Sequence, residues 1–508
     1  MNYEQASSDK RSRIVRRTWL GTTLCIGLFF SLVIVSQVVG QNTQKSQQNY
    51  PAILQNVYNF ILNHYVDQVD PRVLYEGAMK GMFEALEDPY STYLTESDMT
   101  DLNDTTQGSF GGVGLYISKP SGKLPEGKLP YVEVAAPIED TPGWRAGIMP
   151  GDLILEINGE STDKLTMDEV LSRLRGEPGT EVTIRIRRGE KMEFPLTLKR
   201  AVIEVPTVKH AMIGDSIGYL KILTFTPMTV ERTREAIEDF KKKNYQACIV
   251  DLRNNYGGLL NAAIGVADFF LDGGVVVSTK SRLPGESVVY TARRNPLVPP
   301  SIPVVVLINR ASASASEIVA GALKDRGRAY LIGERSYGKG SVQQVFPIDT
   351  AGFKLTTARY YTPSDINIDK KGIPPDMEVK EPELTEVQLE SLNKLYQDNR
   401  IPNFVKNEGN ASPQRIEEFA RQVATTYNLD FQLVRRLIHN EQMRTKIAPV
   451  YDLEFDIQLQ AAVRVLKEKN VPELIKQSKT LKQLQEEAEA KNSLPGPEGK
   501  SVNTEKKR

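Results

Sequence analysis

The stretch Pro303-Val304-Val305-Val306-Leu307-Ile308-Asn309-Arg310-Ala311-Ser312-Ala313-Ser314-Ala315-Ser316 decides the reading of this chain. Its continuous apolar run reads as a strand buried on both faces. The small residues after it, followed by Ile318 and Val319, read as the entry to a helix. Such a turn gathers helix N-terminal amides, which stabilise a developing oxyanion. Ser312, Ser314 and Ser316 are each candidates for helix cap or nucleophile, and the residues alone do not choose among them. The chain has 3 histidines, His64, His210 and His439, none near these serines in sequence. A lone lysine, Lys339, follows between Gly338 and Gly340. A nucleophilic serine here would take lysine as its base, which needs a dry pocket that lowers the lysine pKa.

Working outward, strand-like segments 216–223, 247–252, 303–308 and 330–333 alternate with helical segments 230–242, 260–271 and 318–323. That alternation predicts an α/β core over 206–380. Asp251-Leu252-Arg253-Asn254-Asn255 closes one strand and Tyr256-Gly257-Gly258 follows, a second source of amide for the same oxyanion. The run from Gly333 to Lys339 approximates a phosphate loop. Gly340 replaces the hydroxyl residue that would hold magnesium, and 341–346 alternates like a strand, so a nucleotide site is excluded.

Residues 108–200 read as short strands with one helix at 167–174. Ala146-Gly147-Ile148, Gly151-Asp152-Leu153-Ile154 and Ile157-Asn158-Gly159 resemble a PDZ domain. The resemblance implies a groove that takes a peptide as an added strand, with its terminal carboxylate on the amides of Gly112, Val113, Gly114 and Leu115. An apolar last residue is expected beside Val113 and Leu115.

The chain has 508 residues, 64 basic and 64 acidic, which gives no electrostatic footprint for nucleic acid. Its 2 cysteines, Cys25 and Cys248, suggest neither a disulfide framework nor a metal site. Basic residues 10–17 precede an uncharged, mostly apolar stretch, 18–40. That pattern predicts a transmembrane anchor, or alternatively a cleaved signal, with residues 1–17 cytoplasmic and the body extracytoplasmic, periplasmic or extracellular. Residues 41–105 read as a tether and helices, 381–491 as a charged helical region and 492–508 as a disordered tail. The helical flanks suit a homodimer.

Longer motifs carry a more specific resemblance. The run 312–325, Gly338-Lys339-Gly340-Ser341-Val342-Gln343, 354–364, Gly372-Ile373-Pro374-Pro375-Asp376, 251–258 and Asp88-Pro89-Tyr90-Ser91 resemble the carboxyl-terminal processing peptidases, or tail-specific proteases. The match spans roughly 50–380 in the family's order. It implies a crotonase/Clp-like α/β protease core with an inserted PDZ domain. It implies Ser314 as nucleophile, Lys339 as base and Gln343 as the residue holding the lysine. The oxyanion amides would be those of Ala315 and of Gly258 or Gly257, with Asp325 in support. No metal or cofactor is implied. The expected activity is hydrolysis of peptide bonds near apolar C-terminal tails of protein substrates, with a regulatory adaptor as a further partner. Tyr256 departs from the family, which usually has Pro or Gly there. The competing reading is a catalytically silent PDZ scaffold; an acyl-CoA enzyme of crotonase type has no reason to carry a PDZ module.

Overall fold

The computed structural model describes residues 49–493, apart from 121–128, 190, 284, 409–410 and 445–448. The apolar stretch 18–40, the basic residues before it and the tail beyond 493 lie outside the described residues. Among the described residues no helix is long and apolar enough to cross a membrane.

The chain divides into two units, residues 1–82 and 83–508. In the smaller, helix Tyr50–His64 is capped by Asn49, whose side chain accepts from Ala52 N–H. Its Ile53, Leu54, Val57 and Phe60 are exposed.

In the larger unit the central sheet has six strands, in the order Val208–Ile213, Ile217–Ile222, Ala247–Asp251, Val304–Ile308, Tyr330–Gly333, Met377–Glu378. The first pair is antiparallel and the rest are parallel. Strands Ala247–Asp251 and Val304–Ile308 are buried at every position, as their unbroken apolar runs require. One face of the sheet packs with Ala236, Ile237, Ala263 and Val319 from helices Thr229–Lys242, Leu260–Asp268 and Ala315–Asp325. The other face, with Ile249, Val305 and Leu307, packs against Leu459 and Ala462 of helix Ile457–Glu468. Each aliphatic side chain buried this way contributes about 1.5–3 kcal/mol.

A second sheet joins Thr92–Leu94, Ala351–Tyr361, Gly274–Ser281 and Val288–Ala292, with Ser341–Ile348 also paired to Ala351–Tyr361. The β-rich module is a third sheet, whose strands run from Leu115–Ser118 to Met192–Lys199. Its one longer helix, Met167–Leu174, begins with a capping box between Thr166 and Glu169. The chain enters and leaves this module through the antiparallel ribbon of Ser109–Gly112 and Ala201–Glu204. Asp152 locks the module's glycine turn by accepting from Met149 N–H at 2.9 Å and from Arg188 Nε at 2.8 Å. Helices between Glu386–Gln397 and Phe431–Met443 have their own small core, with Phe404 stacked on Phe419.

The helix expected over 318–323 starts earlier, at Ala315, because Ser314 is its N-cap. The helix expected over 260–271 ends at Asp268. Strands Gly274–Ser281, Val288–Ala292 and Ala351–Tyr361 were not read from the sequence; the first two pair as a hairpin, and Gly274–Ser281 also pairs with the distant Ala351–Tyr361.

Candidate active site

The loops leaving Ala247–Asp251 and Val304–Ile308 lie side by side at the carboxyl ends of two parallel strands, where open α/β sheets place their sites. The three serines have different fates. Ser312 Oγ donates to Leu252 O at 2.9 Å and Ser316 Oγ to Asn255 O at 2.9 Å, both fully buried. These two stitch the loops together. Ser314 is the N-cap of helix Ala315–Asp325 and pairs with Glu317 at capping-box spacing. It has φ 55° and ψ −113°, a backbone that costs a non-glycine residue about 1–3 kcal/mol and persists only where the surroundings impose it.

Glu317 imposes it. Its carboxylate, fully buried, accepts from Ser314 N–H at 2.8 Å, Lys339 N–H at 2.9 Å, Gly338 N–H at 2.7 Å and Ser336 Oγ at 2.5 Å. One side chain thus ties the serine turn to the lysine loop. Burial pushes the Glu317 carboxyl above the usual carboxylate range, and the four donors oppose that push. The sequence reading missed this residue. The signal was present, since Ser314-x-x-Glu317 has capping-box spacing. Substituting Glu317→Gln sets an NH2 group against N–H donors. It is expected to cost about 2–4 kcal/mol of stability and to lower kcat by about a hundredfold, read by thermal unfolding and by steady-state kinetics.

Asn255 is the second residue that went unread. It is fully buried. Its carbonyl accepts from Ala313 N–H at 3.0 Å, its Nδ2 donates to Ile222 O at 2.9 Å, and its Oδ1 accepts from Gly257 N–H at 2.9 Å. The Gly257 amide is therefore engaged. The amides of Gly258 and Ala315 donate to no group among the described residues. The glycine pair sits against the serine turn, since a Cβ on Gly257 would stand 2.8 Å from Ser314 Cβ and 3.0 Å from Ala315 N. Gly258 has φ 138°, and a Cβ there would meet Phe225 O at 2.2 Å. Tyr256, 77% exposed, projects from the same loop.

The Lys339 ammonium lies over the Tyr90 ring, 4.5 Å from its centroid. Tyr90 is held there by a turn in which Asp88 accepts from Tyr90 N–H at 3.0 Å and from Ser91 Oγ at 2.6 Å. Ser91 Oγ in turn accepts from Thr356 N–H at 2.9 Å. The Tyr90 phenol, bonded to Tyr337, is pushed up to about 12. Burial, reinforced by the nearby Lys354 charge, lowers the Lys339 pKa. Gln343 does not hold the lysine in this structure. Its Nε2 donates to Ser341 Oγ at 2.9 Å and to Thr356 Oγ1 at 3.2 Å. Lys339 and Ser314 Oγ are not hydrogen-bonded to each other. Asp325 accepts from Ser364 N–H at 3.1 Å and Leu481 N–H at 2.8 Å, clipping the end of its helix to neighbouring loops.

In the β-rich module the carbonyls of Val113 and Gly114 turn inward, accepting from Gly143 N–H at 2.8 Å and Ile138 N–H at 2.9 Å. The amides of Val113 and Gly114 donate to no group among the described residues. Gly114 has φ 76°, and a Cβ there would meet Thr141 at 2.3 Å. Gly112 ends the entry ribbon and Leu115 starts the first module strand. Val113 is 3% exposed and its side chain belongs to the module's core, with Leu115 packed against that core.

Comparison with known proteins agrees with this anatomy. Residues 216–379 match peptidase family S41, residues 133–188 the PDZ domain, and residues 32–98 the N-terminal domain of the activating protease CtpB. The carboxy-terminal-processing protease of Bartonella bacilliformis is 38% identical over 364 residues, covering 70% of this chain and 81% of that protein. The carboxy-terminal processing protease CtpA of Bacillus subtilis is 32% identical over 362 residues, covering 71% and 76%. A solved photosystem II D1 C-terminal processing protease is 28% identical and covers 66% of this chain and 94% of that chain, with a TM-score of 0.39. A serine peptidase core carrying a PDZ domain is the class that results. The chain belongs to the carboxy-terminal processing proteases of peptidase family S41.

Proposed function

We propose that Ser314 is the nucleophile, Lys339 its general base, and the Gly258 and Ala315 amides the oxyanion donors. The observation that carries this is the strained Ser314 turn packed against the Gly257-Gly258 pair, with the Gly258 and Ala315 amides uncommitted. The PDZ module takes the C-terminus of a protein substrate as an added strand, with its carboxylate on the free Val113 and Gly114 amides. Leu115 then supplies the apolar contact. Neutral Lys339 removes the Ser314 proton, Ser314 attacks the peptide carbonyl, and water hydrolyses the acyl-enzyme with Lys339 again as base. To do so Lys339 leaves the Tyr90 ring, and Gln343 then accepts a lysine N–H through its amide oxygen. Its present seat on Tyr90 suits a resting enzyme that a bound tail or a regulatory adaptor releases. Membrane attachment through 18–40, an extracytoplasmic body and a homodimer through the apolar N-terminal helices complete the proposal.

The test incubates the full-length chain with an unstructured protein ending in apolar residues, and with the same protein amidated at its C-terminus, followed by mass spectrometry. Expected are cuts near the free C-terminus and slower cleavage of the amidated form. Equal cleavage of both would remove the carboxylate site from the proposal.

A further inference from the structure

Arg253 lies in the strand-end loop that also carries Asn255 and Gly258, and its guanidinium has five N–H donors. All are used. Nε donates to Asp251 Oδ1 at 2.9 Å, and Nη2 to Asp251 Oδ2 and Asp456 Oδ2, both at 2.6 Å. Nη1 donates to Asp456 Oδ1 at 2.7 Å and to Gln458 Oε1 at 3.1 Å. Asp251 is fully buried, Arg253 is 9% exposed and Gln458 1%. Tyr219 donates its hydroxyl to Asp251 Oδ2 at 2.7 Å. Gln458 is itself fixed, its Nε2 donating to Val379 O at 2.8 Å.

Asp456 and Gln458 belong to the C-terminal helical region, beyond the residues that match the peptidase family. Asp456 is the N-cap of helix Ile457–Glu468, accepting from Leu459 N–H at 2.8 Å. That helix is the one packed under the central sheet. The fork therefore spans from a helix outside the peptidase match to the loop that aims the oxyanion amides. Downstream of Arg253 the loop offers little slack. Asn254 has φ 59° and pairs side chain to side chain with Asn309 at 2.9 Å, and Asn255 holds the serine turn and the Gly257 amide.

We propose that Asp456 and Gln458 are positioning residues of the peptidase, setting the oxyanion loop through the Arg253 guanidinium. The proposal rests on the oxyanion reading above. Removing the Asp456 charge leaves buried guanidinium donors without full partners, and the strand end tilts to find water. The Gly258 amide moves with it. Substrate capture by the PDZ module is untouched, so the effect falls on kcat and not on KM.

The test compares the full-length chain with Asp456→Asn, Asp456→Glu and Gln458→Met, measuring kcat, KM and thermal unfolding, with assays well below each variant's melting range. Asp456→Asn is expected to lower kcat about tenfold to a hundredfold, with KM within about twofold, because small misplacements of a preorganised site are costly. Asp456→Glu, which keeps the charge, is expected to recover most of that loss, and Gln458→Met to lower kcat about threefold. Wild-type kcat in folded Asp456→Asn, or a loss carried by KM alone, overturns the proposal. Should Asp456→Asn not fold, full kcat in Gln458→Met overturns it equally. Ser314→Ala in the same assay separates the two levels: an active Ser314→Ala refutes the nucleophile assignment, whereas an inactive one beside an unimpaired Asp456→Asn refutes this inference alone.

Discussion

Ser314→Ala is expected to lower kcat by about 10⁴–10⁶-fold, the scale on which serine peptidases lose activity with their nucleophile. Its melting temperature should stay close to the parent's, because the Glu317 carboxylate still accepts from the residue 314 N–H and alanine keeps the same backbone restriction. Ser314→Gly sharpens the test. Glycine adopts φ 55° and ψ −113° without the serine's penalty, so the variant should be equally inactive yet more stable by about 1 kcal/mol. Steady-state kinetics and denaturant unfolding read both. Retained hydrolysis in either variant would move the nucleophile elsewhere. Ser312 and Ser316 are poor substitutes, since each hydroxyl is already spent on a backbone carbonyl.

Lys339→Met should lower kcat by about 10²–10⁴-fold, the usual contribution of a positioned base. Burial lowers the lysine pKa, so the unfolded lysine holds its proton more tightly than the folded one. The folded state is therefore penalised below lysine's ordinary value, and the penalty fades as pH rises through that range. Lys339→Met removes it and should raise the melting temperature at neutral pH. The same depression brings the acid limb of kcat/KM below where an ordinary lysine would put it, with activity rising as pH rises. Lys354→Met removes a like charge and favours charged Lys339, so the limb should move to higher pH. A limb that moves to lower pH, or an active Lys339→Met, would refute lysine as the base.

Much of this molecule is local in origin. The buried strands at 247–251 and 304–308 were legible because continuous apolar runs bounded by turn residues have few other solutions. The PDZ helix was legible from its periodicity, and Thr166 and Glu169 cap it. Strand Ala351–Tyr361 was not; besides its hairpin neighbour Ser341–Ile348 it pairs with Gly274–Ser281 and Thr92–Leu94, both distant in the chain.

At the site the division is sharper. Sequence by itself determined the strand-to-helix turn that carries the serines and the lack of a histidine near them, and the family resemblance, not the spacing, singled out Ser314 and Lys339. Tertiary structure brought the Gly257-Gly258 pair against the serine turn, whereas the Gly257 N–H is engaged locally, by the Asn255 side chain two residues before it. It decided that Glu317, whose spacing reads as a helix cap, also reaches the lysine loop. It placed Lys339 on Tyr90 and not on Gln343, and it joined Arg253 to Asp456. Hydrogen-bond partners of buried groups are settled by which chain segments fold against each other, and no local pattern records that choice.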